Sequence, residues 1–291
     1  YKTVVILGTS HQYGFSGVSV YPKGKFYTPL GDLEIDEEFT QKILNKDEDI
    51  IFDAAAFAKE HSVEVQLPFL QRALRGSAAR GNETETAAYG FKIVPVVMGD
   101  CSLAVCQKFA KFLKEAIGER KDVLVVASSD MYHGYDYVEA GVIDTLTIDY
   151  LRKMDAEGLY YALREGRSQL CGGFGAVVAL YLAKGLKHDK LEVLNYTNSA
   201  IVTGQKKKGI WTVGYVSCAI DQNKDRFVNP EIQKESDMFN NTQKKRLLEI
   251  ARRSIEAYLK TGRGFSVEET DPLLNKEMGA FVTLRKDGEL R

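Results

Sequence analysis

The chain has 291 residues, of which 44% are hydrophobic and 27% charged, and its 39 basic and 40 acidic side chains give a formal net charge of −1. A hydrophobic fraction near the globular average excludes a chain that is mainly disordered or collagen-like. The charge balance lacks the basic excess with which proteins neutralise phosphates, so we expect no nucleic-acid partner.

The cysteines and the apolar runs indicate the cellular compartment of the protein. Cys101, Cys106, Cys171 and Cys218 form no CxxC pair and are too sparse for a disulfide framework, which is typical of a reducing compartment. No apolar run reaches the roughly 20 residues that a membrane helix needs. We therefore expect a cytoplasmic protein without a membrane partner. The chain opens on an apolar strand without a Met, which we interpret as the start of an internal piece of a longer polypeptide.

Strand-like and helix-like patterns alternate over the first 220 residues. Short, nearly continuous apolar runs predict strands at 4–7, 93–98, 123–127, 191–194 and 211–220. Apolar residues at helical spacing predict helices near 63–74, 105–117, 138–153, 155–165 and 174–185. This alternation predicts an α/β domain over 1–220 with a mostly parallel central sheet flanked by helices.

The composition changes near residue 221. The polar stretch 221–241 contains Pro230 and is predicted to be a linker. A periodic helix follows, with Asn241 or Thr242 as N-cap and Gly262 as C-cap, so 242–291 is predicted to be the N-terminal part of a second domain. Near the end, a strand over 280–284 and a turn over 286–288 predict a hairpin whose second arm is missing.

Two histidines follow predicted strands directly. His11 comes after the strand 4–7, and His133 comes after the strand 123–127. Ligands of open α/β sheets bind outside the carboxyl ends of the strands, and neutral imidazole is a common ligand for zinc, copper and iron. The spacing therefore suggests a metal site, but two unrelated loop histidines fit it equally well.

Other side chains near these positions suggest acid/base or thiol chemistry. His61 and Glu64 are three residues apart, so a helix would place them on one face as an acid/base pair or as a ligand with its supporting carboxylate. The plainer alternative has Ser62 capping that helix and His61 packing beside it. Asp130 either orients His133 or caps the next segment.

Cys171 precedes a glycine-containing helix start, Gly172-Gly173-Phe174-Gly175. Backbone amides at such a position lower a thiol pKa, which makes Cys171 a candidate nucleophile or redox thiol. Small residues needed for close helix packing explain the same run.

Taken together, the motifs resemble the Memo family over about residues 1–220. Those that carry the resemblance are Ile6 to His11, Tyr27 to Asp36, Glu60 to Phe69, Ile93 to Gly99, Ser128 to His133 and Leu194 to Tyr196. The tail, from Leu247 through Gly262 to Leu284, resembles the start of an AMMECR-type domain. Proteins carrying both belong to the AmmeMemoRadiSam set, whose third member is a radical-SAM protein.

The resemblance implies a fold similar to the class III extradiol dioxygenases of the LigB type, with a metal pocket at the sheet edge. It implies that His11 and His133 are ligands of that metal, and that a third family histidine lies in a Pro-His-Ala-Gly-Tyr motif upstream of Tyr1. For a site with two imidazoles we expect iron or copper, with zinc as the alternative. It also implies that Cys171 matches a family Cys-Gly position and that His61 and Glu64 flank the pocket. The family cysteine that follows the Leu-Asn-Tyr motif is replaced here near Val202.

Two functions are consistent with the sequence. The first is a metal-dependent redox enzyme of dioxygenase-like fold, acting on a small-molecule or peptide substrate, with a radical-SAM protein as partner. The second is a non-catalytic module that binds a peptide or small acid on the same scaffold. Convergence of His11 and His133 is the observation on which the first depends.

Overall fold

A computed structural model describes residues 1–74, 89–220, 240–262, 267, 269–275, 285–286 and 289–290. The chain divides into two compact units, residues 1–224 and 225–291. Most of the predicted linker and the predicted strand 280–284 lie outside the described residues, so the domain boundaries drawn from the sequence stay a prediction.

The strands, in chain order, are β1 (Thr3–Thr9), β2 (Val18–Val20), β3 (Lys25–Phe26), β4 (Leu33–Glu34), β5 (Ile50–Ile51), β6 (Lys92–Met98), β7 (Val123–Ala127), β8 (His133–Gly134), β9 (Leu191–Asn198), β10 (Thr212–Ile220), β11 (Arg285–Lys286) and β12 (Glu289–Leu290). The α-helices are α1 (Glu37–Ile43), α2 (Leu67–Ala73), α3 (Leu103–Ile117), α4 (Tyr137–Arg152), α5 (Ala156–Arg164), α6 (Gly173–Gly185), α7 (Ser199–Thr203) and α8 (Asn241–Thr261).

A five-stranded sheet of order β5-β2-β6-β1-β7 forms the centre of the first unit. Strand β1 is buried along its whole length and pairs in parallel with β6 and β7, while only the β2–β6 pair is antiparallel. The predicted mostly parallel sheet is thus confirmed. Since β1, β6 and β7 run the same way, the segments that follow them meet at one edge of the sheet.

Helices cover this sheet and bury its two faces in separate apolar clusters. The larger cluster includes residues of β1, β6, α3, α5 and α6. Ser102 is the N-cap of helix α3, and its side chain accepts the N–H of Val105. The helix presents Phe109 and Leu113, both fully buried, to that cluster. Helices α3 to α6 lie within a residue or two of the ranges predicted from periodicity.

Two of the five apolar runs do not join the parallel sheet. Strands β9 and β10 pair with each other antiparallel and, together with β8, form a separate three-stranded sheet. The connection between β9 and β10 carries only the short α7, and a parallel pairing requires a longer crossover. Both strands contact α4, and most of their residues are only partly buried.

The helix predicted from residue 63 begins later than its periodicity suggests. Residues Glu64–Gln66 form a single 3₁₀ turn, and α2 starts at Leu67 with Pro68 in its first turn. Proline has no N–H to donate and is tolerated only at a helix start, which explains why the α-helix cannot extend back through His61.

In the second unit, the N-cap of α8 lies one residue before the earlier of the two predicted caps. Asn240 is the N-cap and forms a capping box with Gln243, while Gly262, with φ of 67°, closes the helix as predicted. Strands β11 and β12 pair antiparallel, so the hairpin expected near the end has its second arm at residues 289–290. None of the helices in the described ranges combines the length and apolar character that crossing a bilayer requires.

Candidate functional site

The segment after β1 is tied to the segment that carries His61. The Ser62 hydroxyl accepts the N–H of Thr9 at 3.0 Å and donates to the carbonyl oxygen of Thr9 at 2.8 Å. A serine that binds both main-chain groups of one residue fixes the two segments side by side. This places Glu60 next to His11, although 49 residues separate them in the sequence.

Glu60 organises this part of the site. Its carboxylate accepts the backbone N–H of His11 at 2.6 Å, the backbone N–H groups of His61 and Ser62 at 2.8 Å each, and lies 2.9 Å from Nδ1 of the His11 ring. The side chain is only 2% exposed. Burial alone would raise the pKa of Glu60, but the hydrogen bonds from His11 and Ser62 outweigh it and lower that pKa to about 2. Glu60 is therefore a buried carboxylate that stays ionised at neutral pH.

The His11 ring lies between this carboxylate and a thiol. Hydrogen bonds to Cys171 and to Glu60 raise the pKa of His11 to about 10, against the opposing effect of burial. Because Nδ1 is engaged by Glu60, the other ring nitrogen, Nε2, is left for a ligand or for the thiol. A carboxylate that fixes the tautomer and the orientation of an imidazole in this way is the usual companion of a metal-binding histidine.

His61 stacks on His11. The two ring centroids lie 4.9 Å apart with an interplanar angle of 20°, and Nδ1 of His61 is 3.5 Å from Glu60. The predicted partner of His61, Glu64, is exposed in the 3₁₀ turn, and the carboxylate beside His61 is that of Glu60. The helical spacing that suggested the His61 and Glu64 pair does not hold, because an α-helix does not include His61. A catalytic role for either residue stays a prediction.

His133 is held by the main chain of its own segment. Its Nδ1 lies 2.8 Å from the carbonyl oxygen of Met131, and its backbone N–H donates to Gln169. Since a carbonyl oxygen only accepts, Nδ1 carries the hydrogen and Nε2 is again the nitrogen available to a ligand. That nitrogen lies 3.8 Å from Asp130, and the ring is 6.1 Å, centroid to centroid, from Trp211.

Asp130 lies beside two of the predicted site residues, His133 and Cys171. Burial raises the pKa of Asp130, while the charges of His133, His11 and His61 lower it, so this carboxylate lies within electrostatic reach of all three histidines. Its backbone N–H donates to Sγ of Cys171 at 3.0 Å. The structure thus gathers the residues named from the sequence, except the more remote Glu64, at one edge of the sheet.

Glycine makes this convergence feasible at the start of α6. A Cβ atom on Gly172 would lie 2.1 Å from the carbonyl oxygen of Ser128, in the segment that follows β7. The absence of a side chain lets Cys171 approach Asp130 closely. The Gly-Gly run therefore has a packing role, and Cys171, which is half-buried, has a defined position beside it.

In the described part of the chain, three side chains form a group able to hold a metal ion. The ligand atoms of His11, Glu60 and His61 all lie within 4.8 Å of one another. Two imidazoles and one carboxylate are a donor set suited to non-haem iron, and imidazole also binds copper and zinc. The residues present therefore fit a metal of the kind expected. His133, the other histidine predicted to bind the metal, does not belong to this group.

Glu60 is a site residue whose role the sequence pattern does not reveal. It stands in the Glu60 to Phe69 motif, but a surface acid and a buried one look identical in a sequence. The one available signal was its position directly before a histidine in a stretch without helical periodicity.

Comparison with known proteins identifies the relatives of the first unit. The family model of the Memo-like protein matches residues 1–219. The chain belongs to this family. A MEMO1 family protein from Desulfurococcus amylolyticus is 34% identical over 218 residues, which are 74% of this chain and 70% of that protein. One from Aquifex aeolicus is 35% identical over 220 residues, covering 74% and 75% of the two chains. Another, from Methanobrevibacter smithii, is 32% identical over 218 residues, covering 74% and 71%.

Within this Memo-like unit, the position near which the resemblance places a family cysteine lies on α7. Val202 is 67% exposed there, on a five-residue helix. The thiol that lies against a site histidine in this chain is instead that of Cys171.

Proposed function

We propose that the Memo-like unit is a metal-dependent redox protein with a dioxygenase-like fold and a histidine-lined pocket at the sheet edge. One observation carries the proposal: His11 and His133 each engage Nδ1 with an acceptor, Glu60 and the Met131 carbonyl respectively, and so each keeps Nε2 for a metal. His61, which belongs to the same group of possible ligands as His11, adds a second imidazole beside it.

The residues take distinct roles in this proposal. His11 and His133 bind the metal through Nε2, and Glu60 orients the His11 ring. Since the pKa of His11 is raised to about 10, a metal has to displace a proton from this ring, which makes binding release a proton at neutral pH. Asp130 and His61 are placed to accept or donate protons. Bound iron or copper, or alternatively zinc, would supply open coordination positions for oxygen or for a substrate.

Metal analysis tests this proposal directly. Protein purified without oxygen should contain stoichiometric metal, and His11→Ala and His133→Ala should each remove it, while His188→Ala, in the turn after α6, should not. Trp211 is the only tryptophan of the chain and lies beside His133, so quenching of its fluorescence by added Cu²⁺ should report binding. Absence of metal together with intact ligand binding would instead favour a non-catalytic binding module.

The wider assignment is also part of the proposal and is supported by the resemblance of the motifs. It includes a cytoplasmic location, an AMMECR-type second domain and a radical-SAM protein as partner in an AmmeMemoRadiSam system. Reciprocal affinity purification from the source organism tests the partnership. Recovery of a radical-SAM protein with the tagged chain is the expected result, and its absence in both directions would contradict it.

A further inference from the structure

A cleft with a volume of about 530 Å³ adjoins the site. His133 and Cys171 line it on one side, and Arg164 and Ser168, from the end of α5 and the loop that follows, line another. Its size is in the range of small-molecule pockets. The metal hypothesis assigns no task to Arg164 or to Ser168.

Arg164 is held rigidly beside this cleft. Its Nε donates to the Tyr160 hydroxyl at 3.1 Å, and its Nη2 donates to the carbonyl oxygen of Cys101 at 3.0 Å. The guanidinium also lies over the rings of Tyr160 and Phe174, at 5.4 and 5.0 Å from the centroids. Among the contacts of the described residues, none engages Nη1. A fixed guanidinium with an unused edge is well suited to bind a carboxylate, because little side-chain entropy is lost on binding.

Asp100, an exposed acid beside Arg164, does not prevent the guanidinium from binding a carboxylate. Asp100, which follows β6, pairs with Nη2 of Arg164 at 2.8 Å, but its side chain is 64% exposed. Ion pairs this close to solvent contribute little and exchange easily. An incoming carboxylate can therefore compete for the guanidinium.

Ser168 provides a second, independent observation at this cleft. The residue is 2% exposed, and its hydroxyl oxygen is buried without a hydrogen-bond partner in the described structure. A buried hydroxyl without a partner costs free energy, so such groups are rare unless something binds them. Ser168 also lines the cleft, and rotation of its side chain would allow an oxygen atom of an occupant to accept a hydrogen bond from the hydroxyl.

We propose that this cleft binds an organic carboxylate, with the anion held by Arg164 and Ser168 and the apolar body directed towards His133. Leu163, Leu170 and Phe174 line the intervening wall and suit a hydrocarbon or aromatic body. One guanidinium edge and one hydroxyl match a singly charged group better than a phosphate, which needs more donors. The description of this molecule as a substrate rests on the proposed metal site, whereas its binding does not.

The first test measures binding of 4-phenylbutyrate by ligand-observed NMR to the full chain in excess EDTA, with neutral 4-phenylbutyramide as the matched probe. We expect the acid to bind at least about tenfold more tightly than the amide, as the loss of a charge-assisted hydrogen bond predicts. Arg164→Gln should remove this preference. Arg167→Gln is the control, because Arg167 pairs with Glu165 and does not line the cleft.

Two further variants keep the test valid if Arg164→Gln fails to fold. Asp100→Asn removes the competing acid and should strengthen binding of phenylbutyrate about threefold without affecting the amide. Ser168→Ala should weaken phenylbutyrate binding about threefold or more while leaving the thermal midpoint of the free protein equal or higher, since the hydroxyl has no partner to lose. Equal affinities for acid and amide, or no change in both variants, would overturn the inference.

The metal proposal and the carboxylate proposal can be refuted independently of each other. His11→Ala should abolish metal binding and keep the preference for phenylbutyrate in EDTA. If the protein binds metal but shows no preference for the acid, the cleft proposal is wrong and the metal proposal stands. If it prefers the acid but holds no metal, the metal proposal is wrong and the cleft remains a carboxylate site.

Discussion

The two histidines proposed as metal ligands are held in different ways. His11 depends on Glu60, a buried side chain from a distant part of the sequence, which binds both its backbone and its ring. His133 depends on the carbonyl oxygen of Met131, two residues away. One half of the site is therefore built by long-range, charge-assisted hydrogen bonds, and the other by the local main chain. A single substitution at Glu60 can therefore displace the His11 ring. The His133 ring should move only when the elements that hold its backbone are changed.

Those elements are β10 and α4. The N–H of Met131 donates to the carbonyl oxygen of Gly214, and the N–H of Gly214 donates to the carbonyl oxygen of Tyr132. Asp144, which is fully buried on α4, accepts the N–H of Tyr132 at 3.0 Å and the hydroxyl of Tyr196 at 2.8 Å. Several contacts thus share the support of the His133 segment.

The largest effect is expected for Glu60→Ala. This change leaves three backbone N–H groups and the His11 ring without their acceptor, so the free energy of unfolding should fall by about 2–4 kcal/mol. Metal affinity should fall by about 10–100-fold, as for other carboxylates that support a ligating histidine. Urea unfolding and metal titration measure the two effects. If Glu60→Ala kept wild-type metal affinity, the His11 side of the site would not depend on this single side chain.

A smaller effect is expected for Asp144→Ala. Two buried donors lose their acceptor, which should cost about 1–3 kcal/mol of stability. Because β10 still holds the His133 segment, metal affinity should decrease less than in Glu60→Ala. Urea unfolding and the same titration compare the variants, with Asp149→Ala, an exposed residue of the same helix, as control. A loss of affinity as large as in Glu60→Ala would show that both halves depend on one residue.

The pH dependence of stability should identify the Glu60 and His11 pair in protein treated with EDTA. The pKa of Glu60 is lowered from an ordinary 4.5 to about 2, so its stabilising contribution is present above pH 4.5 and is lost as the pH falls towards 2. The pKa of His11 is raised from 6.5 to about 10, so its contribution is present below pH 6.5 and is lost as the pH rises towards 10.

The difference in unfolding free energy between wild type and Glu60→Gln should therefore be greatest between about pH 4.5 and 6.5 and should decrease on both sides. Glu64→Gln, which changes an exposed acid four residues away, is the matched control and should give no such maximum. A difference that does not vary with pH would contradict the assigned charges.

The smallest expected effect is a difference in reactivity between two thiols of the native protein. Cys171 lines the open cleft beside the site, whereas burial raises the pKa of Cys218, on β10, to about 11. Brief treatment of the native protein with iodoacetamide at pH 8 should modify Cys171 before Cys218, because only a thiolate reacts quickly. Peptide mass spectrometry measures the order. Preferential modification of Cys218 would show that the Cys171 thiol is blocked.

Much of the fold followed from the sequence because it depends on local pattern. Periodic apolar residues located α3 to α6, and continuous apolar runs located β1, β6 and β7. The pairing of β9 with β10 was missed, since an apolar run looks the same in a parallel and in an antiparallel sheet. The helix start at Leu67 was missed because apolar spacing continued through a 3₁₀ turn.

The site was predicted in part for a similar reason. Placement after a strand end indicated His11, Asp130 and His133, because topology alone brings such residues to one edge. The roles of Glu60 and Ser168 depend on burial and on hydrogen bonds between distant segments, and neither is visible in residue spacing.

The pair of hydrogen bonds between Ser62 and Thr9 has a consequence for folding. These contacts join residues 53 positions apart, so they exist only when the segment after β1 and the segment before α2 have been brought together. The same junction places Glu60 beside His11. A chain that has formed its helices and strands but has not joined these segments would therefore not hold a redox-active ion through an oriented His11, which would link metal binding to completed tertiary structure.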